Sequence, residues 1–226
     1  MLVSVITPTY NRARFIPRLI EVYKQQDYDH DLMEWLVFDD GTEPVKDLFI
    51  DLCKETLHYT YSETQIPMGE KLNYLAKQAT GDIIIVMDDD DYYPPDRVSS
   101  VVKAMTANPH VLLGGSSKVY MYSTDNKKIY CAGPYHDKHA LNCTLAFRHA
   151  YLKDHAYDDK EVCAVERVFL NGFTEPMIQL DRQILHMIHS SNTYKNKMGI
   201  SLMETTDLTL EHFIKDPALR TAFQII

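Results

Sequence analysis

Four short apolar runs, each ending in polar residues, constrain this chain more than any other feature. They are Leu2 to Thr7 ("LVSVIT"), Trp35 to Asp39 in "EWLVFDDG", Leu57 to Ser62 ("LHYTYS") and the core of "DIIIVMD", beginning at Asp82. Segments of helical period lie between and after them. Ile16, Leu19, Ile20 and Tyr23 share one face, and Val45–Glu55 ("VKDLFIDLCKE") reads as a second helix. Gly69–Thr80 places Leu72, Leu75, Ala76 and Ala79 on one side and is closed by Gly81. Pro94 and Pro95 open a further helix carrying Val98, Val101, Val102 and Met105. Near-continuous apolar strands alternating with helices predict an α/β fold, with a mostly parallel sheet covered on both faces. Such sheets bind ligands beyond the carboxyl ends of their strands. Three of those ends carry "TPTYNR", "DDG" and "DDDD", so these clusters are expected to converge on one crevice.

The second half has a different grammar. Ser116–Gly133 reads as two strands around "TDNK", an antiparallel hairpin. Gly133–Asn142 has no period and reads as a mobile loop; "TLAFR" is a short strand and "HAYLKDHAY" a short helix. Lys160–Gly172 reads as a helix stopped by its final glycine, "MIQLDRQILHMIHSSNT" as one or two strands, and the tail as helical. There is no internal repeat or low-complexity linker. The expectation is one domain over 1–226, with an α/β half at 1–115 and a smaller mixed half at 116–226.

At 226 residues and 45 % apolar content the chain can bury a full core. A net charge of −9 gives it no global attraction for nucleic acid. No apolar run is long enough to span a bilayer, and "MLVSVITPTYNR" reads as a first strand rather than a signal peptide. Cys53, Cys131, Cys143 and Cys163 are widely spaced without a CxxC, which fits reduced thiols and a cytoplasmic, reducing compartment.

Asp88 to Asp91 follow the most hydrophobic run in the chain. A solvated acidic loop, a helix N-cap and a divalent metal site are the three readings. One cap would suffice for the helix that starts near Pro94. Carboxylate oxygens are natural ligands for Mg²⁺ or Mn²⁺, and a cation cancels the repulsion among them. The position at a strand's carboxyl end favours the metal. Mg²⁺ commonly completes its octahedron with water and phosphate oxygens, so the metal in turn implies a phosphorylated ligand.

"SVITPTYNRARFIPRLIEVYKQQ", "EWLVFDDGT" and "GEKLNYLAKQATGDIIIVMDDDDYYPPDRV", in that order and spacing, resemble the GT-A (Rossmann-like) glycosyltransferases of family 2 through about residue 100. The chain is also similar to glycosyltransferase domains of large algal viruses. The family resemblance implies transfer of a sugar from a nucleotide diphosphate, with Mn²⁺ or Mg²⁺, inverting the anomeric centre. It implies that Thr7, Pro8, Thr9 and Tyr10 cradle the nucleoside and that Arg12 reaches the diphosphate. Asp39 or, by preference, Asp40 would accept the imide N–H of uracil, which favours uridine or thymidine over cytidine and makes a UDP-sugar the leading donor, and Lys71 would lie near the donor. Asp88, Asp89 and Asp90 fill the family's DXD motif: Asp90 on the metal, Asp88 on the ribose, nucleotide or metal, Asp89 on the donor. His189 resembles a late histidine that completes the metal site, with His186 as runner-up. The acceptor would be a hydroxyl of a glycan or other molecule, and the chain could form part of a longer multidomain protein.

An inverting transfer needs a base opposite the leaving group. Glu166 is the candidate. If Lys160–Gly172 is helical, Val162, Val165, Glu166 and Phe169 share an inward face, and burial would raise the carboxylate's basicity. The family carries an acidic pair here; Val165 and Arg167 reduce it to one acid. The alternative is a structural ion pair with an arginine, and Glu161 and Asp159 are poorer candidates. His136 and His139 lie in the suspected mobile loop, with nothing to select them. A non-catalytic nucleotide-sugar-binding module is the competing function. A sugar-phosphate nucleotidyltransferase is less favoured, because "TPTYNRAR" lacks the glycines of a phosphate loop.

Overall fold

The structure is a computed structural model that describes residues 1–49, 56–192 and 203–224. The four apolar runs form β1 (Val3–Thr9), β2 (Met33–Asp39), β3 (Leu57–Tyr61) and β4 (Ile83–Val86). β1, β2 and β4 are buried at every position, as central strands covered on both faces must be. β5 (Leu113–Gly115), β8 (Ala146–Arg148) and β9 (Met177–Gln179) complete a seven-stranded sheet of order β3-β2-β1-β4-β8-β5-β9. The first four strands are mutually parallel. β8 runs antiparallel to both β4 and β5. A smaller sheet of order β10-β6-β7-β11 joins β6 (Val119–Ser123), β7 (Ile129–Ala132), β10 (Leu185–Ile188) and β11 (Glu204–Thr205). The expected hairpin is its β6–β7 pair.

Helices α1 (Ile16–Lys24) and α3 (Arg97–Ala107) cover one face of the large sheet and α2 (Met68–Gln78) the other. Successive strand residues point to opposite faces. Val3, Val5, Ile83 and Ile85 therefore pack with Leu19 and Val101, whereas Ile6, Ile84 and Val86 pack with Leu72 and Leu75. Among the described residues three short helices follow: α4 (Glu166–Phe169), α5 (Leu210–Phe213) and α6 (Pro217–Gln224).

Register brings the polar ends together. Thr9 lies opposite Asp39, and Met87 donates to Ile6 O at 3.0 Å just past the end of β4. The acids thus begin where the ladder stops. Tyr92 and Leu185 exchange backbone hydrogen bonds of 3.1 and 2.8 Å, tying the acidic loop to β10 of the second sheet.

Two expected helices differ. Within 45–55, Lys46–Phe49 form a 3₁₀ turn, and residues 50–55, including Cys53, lie outside the described residues. The helix expected over Lys160–Gly172 contracts to α4. Ala164 adopts φ 51°, a left-handed conformation that stops a right-handed helix from running through it. Val162 is consequently 61 % exposed instead of sharing the inward face of Val165 and Phe169. Cys131, Cys143 and Cys163 are free thiols. Among the described residues no helix is long and apolar enough to cross a membrane.

Candidate active site

The turn leaving β1 is closed by Asn11, at φ 54°, a conformation asparagine tolerates better than most residues. Its Oδ1 accepts from Thr42 N at 2.8 Å, clipping this turn to the one after β2. Pro8, Thr9, Tyr10 and Arg12 then line a cavity of about 400 Å³. Lys71 of α2, Asp88, Asp89 and Asp90 after β4, His186 of β10, Asn192, and Val162 to Glu166 form further walls. Two of the three strand ends expected to converge, "TPTYNR" and "DDDD", line this crevice, "DDG" stays behind its wall, and the second half closes it. A larger groove of about 740 Å³ lies along β3 but carries one acid, Asp47, so the chemistry points to the smaller cavity.

The four aspartates occupy different environments. Asp90 is bounded by cations and donors. His189 Nε2 lies 3.1 Å from its Oδ2, Arg12 Nη2 lies 3.5 Å away, and Arg18 donates to its backbone oxygen at 3.0 Å. Burial would raise its pKa, but the His189 hydrogen bond and the charge of Arg12 outweigh that and hold it low. Asp89 accepts from Thr9 Oγ1 at 2.6 Å, yet burial and the charge of Asp90 push it up to about 8. Asp91 is fully enclosed; it takes the Met187 amide at 2.8 Å and His186 Nδ1 at 2.9 Å. Asp88 forms no ion pair among the described residues, and burial with the charges of Asp91, Asp90 and Asp89 drives its pKa well up. Carboxylates crowded in this way, one of them unpaired against the cavity, have the oxygen donor set that a divalent cation requires. Asp91, Cys143 and His186 also bring three potential ligand atoms within 4.8 Å of one another.

His189 touches the expected metal acid. Its Nδ1 accepts from Ser191 N at 3.2 Å, which leaves Nε2 as the donor to Asp90. The ring as placed therefore holds Asp90, and ligation through Nε2 would need the other tautomer. His186 differs: Asp91 engages its Nδ1, and the residue lines the cavity. Burial would lower the His186 pKa, but Asp91 and the neighbouring acids bring it up to about 9.

Glu166 lines the cavity at the first position of α4 and forms no ion pair among the described residues, so the arginine alternative is not found. Burial raises its pKa. The sequence expectation puts Thr7, Asp39 and Asp40 on the nucleotide; the structure brings none of them to the cavity wall. Thr7 is fully buried, donating to Met87 O at 2.8 Å and accepting from Trp35 Nε1 at 2.9 Å. Asp39 locks its own turn through the amides of Gly41 and Val45, both at 2.9 Å, and the Tyr59 hydroxyl. Asp40 accepts from Ile66 N at 2.9 Å and pairs with Lys71 Nζ, so it reaches the cavity through that lysine. Arg18, Asn192 and the Asp91–His186 contact adjoin the acids, and sequence spacing did not point to them. The one available signal was His186 itself, two residues from the end of an apolar strand.

Residues 4–166 match the profile described as glycosyl transferase family 2. The chain belongs to glycosyltransferase family 2. The family 2 chain shares its α/β fold with solved structures at low identity. TarS 1–349 from S. aureus, in complex with UDP-GlcNAc, superposes with a TM-score of 0.69 at 19 % identity, covering 85 % of this chain and 60 % of that one. The mannosyltransferase PcManGT from Pyrobaculum calidifontis, in complex with GDP-Man and Mn²⁺, gives 0.64 at 18 % identity, covering 84 % and 58 %. The family 2 chain thus spans about 60 % of the length of these neighbours. No curated protein matches its sequence.

Proposed function

We propose that this family 2 chain is a metal-dependent, inverting glycosyltransferase that moves a sugar from a UDP-sugar to a hydroxyl of a glycan or other acceptor. One observation carries the reading: Asp88 and Glu166 line the same cavity, and neither forms an ion pair among the described residues. Two carboxylates in one cavity with no cationic partner are costly unless a ligand uses them.

Asp88 and Asp90 would hold Mn²⁺ or Mg²⁺, with His189 beside Asp90. When bound, the cation neutralises charge developing on the leaving diphosphate. Arg12 and Lys71 supply fixed positive charge at the same wall, and Pro8 to Tyr10 with Asp89 line the space offered to the nucleotide. Glu166 takes the proton from the acceptor hydroxyl as that oxygen bonds to the sugar carbon. The carbon–oxygen bond to the diphosphate breaks, and its electron pair leaves with the nucleotide. A single displacement of this kind inverts the anomeric centre. A uridine donor is supported by the neighbour crystallised with UDP-GlcNAc; the neighbour holding GDP-Man and Mn²⁺ supports the metal.

The test is UDP release from a panel of UDP-sugars with Mn²⁺, followed by NMR assignment of the product's anomeric configuration. Turnover that inverts the donor's configuration and is lost with EDTA supports the reading. Retention of configuration would overturn it, and tight donor binding without turnover against any acceptor would leave a binding module instead.

A further inference from the structure

The loop at 133–142 separates the catalytic cavity from a second, more open groove of about 430 Å³. Tyr135 lines both and is 58 % exposed, the most open aromatic ring among the large hydrophobics of the described residues. An exposed tyrosine usually needs no explanation, but this one is backed and held. Its ring lies 4.6 Å from that of His139, which stacks at 4.8 Å and 26° on Phe173. The loop beneath is pinned by Gln179, whose Nε2 donates to Asp137 O and His139 O at 2.8 and 3.0 Å while its Oε1 accepts from Ser117 N at 2.9 Å. Tyr135 N donates to Ser117 O at 3.4 Å. A ring fixed before any ligand arrives loses little freedom on binding.

The second groove mixes Ser116, Ser117 and His136 with one basic residue, Lys118, and two acids, Asp137 and Asp181. That lining offers hydrogen bonds of both kinds and no net positive charge, which suits a neutral polyol better than a phosphate or carboxylate. The C–H face of a sugar ring packs on an aromatic face while its hydroxyls reach such groups. We infer that Tyr135 is the stacking platform of an acceptor subsite, over which a glycan of at least two sugar rings runs from the Glu166 cavity into the second groove. This rests on the transferase reading above and names its acceptor as an oligosaccharide.

The experiment uses the full chain with UDP-sugars, Mn²⁺ and gluco-, galacto-, manno- and xylo-configured sugars, each supplied as monosaccharide and trisaccharide. Stimulation of UDP release is expressed against each variant's own rate in water. A trisaccharide is expected to act at lower concentration than its monosaccharide. Tyr135→Ala should raise the trisaccharide KM about three- to tenfold, in line with the worth of one aromatic contact, with little change for the monosaccharide, and Tyr135→Trp should restore the difference. Equal potency of the two lengths, an unchanged length preference in Tyr135→Ala, or neither stimulation nor Tyr135-dependent binding with any trisaccharide overturns the platform. Saturation-transfer NMR of the same trisaccharides separates the two readings. Tyr135-dependent binding without UDP release keeps the platform and removes the transferase; UDP release without a Tyr135-dependent length preference does the reverse.

Discussion

Asp88 to Asp91 show how four identical side chains acquire four roles from their surroundings. Asp90 sits among Arg12 and His189, Asp91 is consumed by His186 and a backbone amide, Asp89 is held by Thr9 and Arg12, and Asp88 forms no ion pair among the described residues. Asp89 rises from the usual 3.8 to about 8, and Asp88 moves the same way. A carboxyl whose folded pKa exceeds its unfolded value favours folding fully below the unfolded value and loses that contribution as pH rises through the folded one. The metal-free protein should therefore lose stability across that window. The gain in melting temperature on adding Mn²⁺ should grow across it, which thermal unfolding with EDTA or Mn²⁺ at a series of pH values will read. Glu166 as a base must be ionised, and burial raises its pKa. Activity should fall on acidification with a midpoint above the ordinary glutamate range, and Glu166→Gln should lower turnover about 10²–10⁴-fold while donor affinity stays within a few-fold. Initial rates against pH, with donor binding measured separately, check both. At this scale the acids were legible because like charges after an apolar strand demand an explanation. The engagement of Thr7, Asp39 and Asp40 was not, since a motif names residues but not which way their polar atoms are turned.

The contrast between α2 and α4 separates what periodicity reads from what it misses. α2 was legible from Leu72, Leu75 and Ala76, and it delivers Lys71 to the cavity. The segment before α4 has equally good apolar spacing, but the left-handed Ala164 breaks it, and no side-chain pattern encodes a backbone torsion at alanine. Its course is fixed instead by contact with α2. Gly69 N donates to Glu161 O at 3.0 Å, and a Cβ on Gly69 would come within 1.8 Å of Asp158 O. Gly69→Ala must push the 158–161 backbone away and disturb the approach to Glu166. It should lower the melting temperature and reduce turnover more than UDP affinity, a split measurable by calorimetry and steady-state kinetics on one preparation. The roles of β8 and β11 were illegible for a related reason: strands this short pair where the surrounding sheet leaves an edge, not where their own sequence directs.

For the whole molecule, parallel strands in register made the crevice predictable before any family resemblance was invoked: β4 stops at Val86 opposite Ile6, so the acids that follow it run beside the end of β1, where Thr9 meets Asp89. The opposite wall comes from the second sheet and α4, and it depends on long-range contacts such as Tyr92 with Leu185 that a linear reading could not supply. The central claim is that this wall and the acids together take a nucleotide-sugar through a divalent cation. Thermal-shift binding of a UDP-sugar panel, with Mn²⁺ and with EDTA, on wild type, Asp90→Ala and Asp90→Asn, tests it most directly. The account predicts that at least one UDP-sugar raises the melting temperature with Mn²⁺, that EDTA removes the shift, and that both variants fold yet lose it. A UDP-sugar shift of equal size in EDTA, or one retained by folded Asp90→Asn, would contradict the account.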